Sequence, residues 1–163
     1  MTTPSPLAEL ELPVRPLSQH ALHPTEEKNR ACWYTAAVMV LSHRGPLEPL
    51  RMMNVQSLAR KYVNRGLLPM DFAHFAREAG LEQTTAQALL PRNGPADWRN
   101  ALDTRGPLIV VSDWHTLVVR GIVRKGLDWH IVSNNPHSGA RETAPINAFN
   151  YYMDRKMPIW FRR

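Results

Sequence analysis

One cysteine, Cys32, is the only thiol in this chain of 163 residues. That excludes an internal disulfide and any zinc site built from several cysteines. No apolar run approaches the roughly 20 residues needed to cross a bilayer. The opening stretch, MTTPSPLAELELPVRP, lacks the basic-then-apolar pattern of a secretory signal. These absences predict a soluble chain without a signal peptide. There is no internal repeat, no low-complexity tract and no second set of elements that would make a further domain. Acidic residues are the scarcer charge, 14 against 20 basic ones, for a net charge of +6. The basic residues are scattered in pairs (Arg60 with Lys61, Arg124 with Lys125, Arg155 with Lys156). No arginine-rich helix or aromatic-interleaved pattern accompanies them, which argues against a nucleic-acid partner and for a solvated surface or an acidic target.

What is present suits one globular domain. Hydrophobic residues make up 44% of the chain, enough for a core. Five of the 14 prolines (Pro4, Pro6, Pro13, Pro16 and Pro24) fall near the start, so residues 1–28 read as a Pro-rich arm and 29–163 as the domain. From Ala31 the run ACWYTAAVMVLSH spaces Ala36, Ala37, Val40 and Leu41 like one side of a helix, and Gly45 with Pro46 ends it. Further helices are predicted over 52–63, after Pro69 with Gly80 as the stop, and over 95–102 around Trp98. Residues 84–90 read as a short strand or a connection. After Gly106 and Pro107 the character changes. LIVVS, HTLVVRGIV and DWHIVSN read as strands rich in β-branched residues, the last two joined by a turn at Lys125 and Gly126. Residues 134–139 read as a loop, INAFNYYM as a last helix and PIWFRR as a closing strand. Helices followed by an antiparallel sheet predict an α+β domain of two segregated parts.

Cys32 falls in the first turn of the strongest predicted helix. Thiolate is the reactive form of cysteine, and the partial positive charge of a helix N-terminus with a nearby imidazolium stabilises it. A buried packing role for a lone cysteine stays open beside this. Seven histidines could serve as a partner. His20 and His23 lie in the arm, and His43 and His74 on helices. His115 instead opens an apolar strand, where its ring can project from a sheet rim. A third group should accept a hydrogen bond from the far ring nitrogen. Asn135 ends the next strand, and antiparallel pairing brings the end of one strand beside the start of the other. Turn chemistry alone would also account for Asn134, Asn135 and Pro136.

Three blocks together resemble the papain-like superfamily of cysteine proteases, in particular its compact bacterial branch of double-glycine bacteriocin-processing peptidases and papain-like effector proteases. The first is ACWYTAAVMVLS from Ala31, similar to that family's Cys-Trp opening of the central helix. The second is GPLIVV from Gly106, followed by HTLVVRGI from His115. The third is IVSNNP, ending at Pro136, where the family often has Asp or Asn before a proline. With the helices between, the resemblance covers roughly residues 20–162.

The resemblance implies a papain-like fold, with an N-terminal helical part whose central nucleophile helix packs on a C-terminal antiparallel β-sheet. It implies Cys32 as nucleophile, His115 as general base and then acid, and Asn135 as the orienting residue, with no cofactor or metal. Trp33 is expected to wall the cleft; Trp114 and Trp129 are candidates to shield the pair from water. The family's oxyanion-hole glutamine, five or six residues before the cysteine, is replaced by Glu26 and Glu27, which cannot donate when ionised. Asn29, Gln19 or the backbone N–H of Cys32 are the substitutes. The activity implied is cleavage of a protein substrate through a thioacyl intermediate, as a bacterial toxin or effector domain delivered by a specialised secretion system into a target-cell cytoplasm, with a cognate inhibitor or immunity protein as a further partner. Glutamine deamidation or transglutamination by the same thiol, or a catalytically inactive papain-like binding module, are the alternatives.

Overall fold

The computed structural model describes residues 6–22, 31–45, 47, 55–57, 60–62, 67–112 and 115–162. Among these, seven strands form one antiparallel sheet: β1 (Leu10–Glu11), β2 (Leu81–Thr85), β3 (Leu108–Ser112), β4 (His115–Lys125), β5 (Asp128–Asn135), β6 (Ala140–Pro145) and β7 (Pro158–Arg162). Their order across the sheet is β2-β7-β3-β4-β5-β6. Strand β3 pairs with the first part of β4, from His115 to Val119. The short β1 takes up the ladder at Gly121 and Ile122, continuing the line of β3. The helices are α1 (Gln19–Leu22), α2 (Cys32–Ser42), α3 (Phe72–Ala79), α4 (Ala86–Leu89), α5 (Pro95–Arg105) and α6 (Ile146–Tyr152), with a 3-10 turn at Pro69–Asp71 leading into α3. The architecture is α+β.

Strand β3 shows why the helices cannot all lie on one side. It is buried along nearly its whole length, the signature of a strand covered on both faces. Ile109 and Val111 join the core under α2 and α3. Leu108 and Val110, pointing the other way, join a second core under α5 and α6. Trp160 likewise faces the first core, and Ile159 and Phe161 the second. The sheet is therefore sandwiched between helical layers rather than set beside a separate helical half. Helix α2 is its central support, with every residue from Trp33 to Leu41 buried.

Part of the expected arm belongs to this body. Besides carrying β1, the segment buries Val14 and Gln19, each 1% exposed. Arg120 clamps it, donating from Nε to Leu12 O (2.9 Å) and from Nη1 to Val14 O (2.9 Å), while Asn134 Nδ2 donates to Val14 O (3.0 Å). Glu11 bridges Arg120 (3.2 Å) and Arg141 (2.7 Å). Two glycines permit the close approach. A Cβ on Gly121 would stand 2.8 Å from Leu10 O, and one on Gly139, at φ +67°, 2.8 Å from Ser18 Cβ. The boundary expected at residue 28 lies outside the described residues. Half of the helix expected over 52–63 also lies outside them; its described residues 55–57 and 60–62 are helical.

Candidate active site

Helix α2 begins at Cys32 with Ala31 as its N-cap, and Ala31 has no side chain to satisfy the first N–H groups. The thiol therefore sits among backbone donors at the positive end of a helix. It is partly buried. The sheet rim faces it: His115 opens β4, and the Cys32 thiol hydrogen-bonds the His115 ring and both the side chain and the backbone of Thr116. Burial alone would raise the thiol's pKa. Those hydrogen bonds and the charge of His115 outweigh it, so the thiol lies below its ordinary range. Burial would lower the histidine, but hydrogen bonds with Cys32 and Asn135 and the charges of Cys32 and Glu142 carry it above 6.5. Each partner thus favours the other's charged form.

Asn135 closes β5 and meets the far side of the ring, with Oδ1 2.7 Å from His115 Nε2. An amide oxygen only accepts, so Nε2 carries the proton and Nδ1 is left for the thiol. The Asn135 oxygen also accepts from His137 N at 2.9 Å, and its Nδ2 donates to Glu142 at 3.1 Å. The structure thus sets Cys32 against the His115 ring and links His115, Asn135 and Glu142 by hydrogen bonds.

The other expected site residues are placed differently. Trp33 is 5% exposed and packs edge-on against Tyr62 and Phe75 inside the core. Trp129 lies at the hairpin end of β5, under the Arg124 guanidinium and remote from Asn135. Asn29, Glu26, Glu27 and Trp114 fall outside the described residues. Gln19 is at the site's flank. Its backbone N–H donates to Pro136 O (2.8 Å), directly after Asn135, and its Oε1 is buried without a hydrogen-bond partner among the described residues. The next residue, His20, stacks edge-on with His137, which meets His115 the same way. Glu142 was not anticipated from sequence, because β6 reads ARETAP with no strand periodicity. A groove of about 410 Å³ between α6 and the β4–β6 part of the sheet has Glu142, Leu117, Phe149 and Tyr152 in its wall.

A half-buried thiol at the head of a buried helix, paired with a histidine on the rim of an antiparallel sheet, defines the class of papain-like cysteine proteases. The family model for the papain-like cysteine protease AvrRpt2 matches residues 15–154, and the chain belongs to that family. Among curated proteins no match is found. No helix among the described residues is long and apolar enough to cross a membrane.

Proposed function

We propose that the chain is an active cysteine peptidase in which Cys32, His115 and Asn135 act as a triad. The observation that carries this is the 2.7 Å hydrogen bond between His115 Nε2 and Asn135 Oδ1, with the Cys32 thiol held below its ordinary range by the same ring. In the resting state the thiol proton passes to His115 Nδ1, leaving thiolate beside imidazolium. The thiolate attacks the amide carbon of a peptide bond, forming a C–S bond as the carbonyl π electrons move to oxygen. Imidazolium then returns its proton to the leaving amine as the C–N bond breaks. Water, deprotonated by the same ring, hydrolyses the thioacyl intermediate and releases the acid and the free thiol. Asn135 holds the ring on the tautomer and in the plane that both proton transfers need.

The oxyanion has two donors in this reading: the backbone N–H of Cys32 at the uncapped helix start and the side-chain amide of Gln19. Gln19 replaces a glutamine nearer the cysteine, because the extra residues between α1 and α2 separate the two in sequence while α1 stays seated beside the Asn135 turn. The groove beside Glu142 receives a substrate side chain. Delivery into another cell as a toxin or effector is part of the proposal and rests on the family's nature together with the basic surface.

The test is digestion of candidate target lysates by the wild type, Cys32→Ala and Gln19→Ala, read by mass spectrometry of new peptide termini. New termini made by the wild type and absent with Cys32→Ala are expected. Gln19→Ala should cut ~10²–10³-fold more slowly while keeping its thiol reactivity. Intact chains heavier by about one dalton at glutamine would instead assign deamidation. Identical patterns from wild type and Cys32→Ala would sink the peptidase reading.

A further inference from the structure

The hydrogen bonding from His115 does not end at Asn135. Asn135 stands opposite Ala140 on the β5–β6 ladder, and Ser133 opposite Glu142. Pairs two steps apart project to the same face, so the Glu142 carboxylate reaches along that face to Asn135. Glu142 Oε1 accepts from Asn135 Nδ2 at 3.1 Å and from Ser138 Oγ at 3.1 Å. Arg141, next along the strand, points away and pairs with Glu11 on the other face.

From this geometry we infer that Glu142 is a positioning residue, supplying through the Asn135 amide the negative charge that an aspartate would place directly against the histidine. Two consequences follow from the hydrogen bonds. With donors on Oδ1 (His115 Nε2 and His137 N) and an anion on Nδ2, the amide has one favourable orientation; flipping it would set its N–H groups against donors and its oxygen against a carboxylate. The carboxylate also polarises the amide, strengthening the acceptor that His115 meets. An asparagine in the third position is thereby given anionic support without a carboxylate touching the ring. The direction of the histidine's shift agrees, the Glu142 charge being one of the influences that raise it. Among the described residues, the other titratable groups around His115 are Cys32 from α2, His137 from the β5–β6 turn and, behind it, His20 from α1. Arg120, Arg141 and Glu11 lie on the opposite face of the sheet.

The inference rests on His115 acting as the base, and its test separates the two. The His115 ring is titrated by NMR in full-length Cys32→Ala protein, its resonances identified by their loss in His115→Gln. Adding Glu142→Gln keeps an acceptor for Asn135 and Ser138 but removes the charge. Because Glu142 is exposed and screened, we expect about a threefold loss of proton affinity, a midpoint lower by about half a pH unit. Further adding Asn135→Asp restores an anion at the ring and should bring the midpoint back to the Cys32→Ala value or above. An unchanged midpoint in Glu142→Gln, or no recovery with Asn135→Asp, overturns the role of Glu142. The parent reading is checked apart from this, by iodoacetamide labelling of Cys32 in otherwise wild-type protein. If His115→Ala leaves the labelling rate unchanged, the base assignment itself is wrong. If it slows labelling while Glu142→Gln leaves the titration alone, only the inference about Glu142 falls.

Discussion

At the scale of single residues, the site is a matter of mutual stabilisation of charge. Cys32 is held below its ordinary value of 9.0 and His115 above 6.5, so each group favours the charged form of the other. Alkylation of Cys32 should therefore proceed well below the pH at which a free thiol reacts. In His115→Ala the rate should follow an ordinary thiol titration, falling roughly tenfold per pH unit on its acid side. The same shifts link to stability. A histidine with a raised pKa contributes stability that is complete below 6.5 and disappears as the pH climbs through its folded value. A cysteine with a lowered pKa contributes above 9.0 and loses that contribution as the pH falls through its folded value. Denaturant melts of His115→Ala against wild type should show a gap that narrows as the pH climbs through the raised histidine value. The proposed triad of Cys32, His115 and Asn135 is suggested by the sequence because its spacing follows chain order and strand pairing. Glu142 is not, since its role depends on which face of an irregular strand it occupies.

Among the elements, the least legible proved structurally important. Strand β1 is two residues long and lies in a Pro-rich stretch, so no periodicity announces it. Its pairing partner, β4, had to be known first. It is held by long-range clamps, and these also set α1 and Gln19 against the turn after Asn135. Gly139→Ala should expose that dependence. The new methyl would stand only 2.8 Å from Ser18 Cβ, in a left-handed backbone, so the arm must shift, costing about 1–3 kcal/mol. Turnover of a cleavable peptide should fall further than Cys32 alkylation, because the displaced element carries the proposed oxyanion donor and not the nucleophile. Arg120→Ala should cost about 2–4 kcal/mol in urea melts, since it strips donors from the carbonyls of Leu12 and Val14 and leaves Glu11 with one partner fewer. The long apolar strands and α2 were legible by contrast, because burial on both faces, or all round, writes continuous hydrophobic runs into a sequence.

For the molecule as a whole, the two cores make different demands. Trp98 is fully buried on the α5 side, edge-on to Phe149, with its Nε1 donating to Asn150 at 3.0 Å. Trp98→Ala should remove about 3–5 kcal/mol of stability while the folded fraction keeps its alkylation rate. Met39, on the buried side of α2, touches Asn134, the neighbour of Asn135. Met39→Ala should cost about 2–5 kcal/mol and also slow alkylation, because that core seats both the nucleophile helix and the strand end that holds the base. Helices on both faces, rather than a helical half beside a sheet, could be recognised only once the register was known.

The order of the parts along the chain has a consequence for the protein's own safety during synthesis. The thiol leaves the ribosome early, as part of a helix that has nothing to lie against. Its proton acceptor, that acceptor's support and the strand that seals the sheet at Trp160 all emerge later. A nascent or unfolded chain therefore carries a commonplace cysteine, and the proposed triad assembles only when the later strands have closed over the helix that bears it.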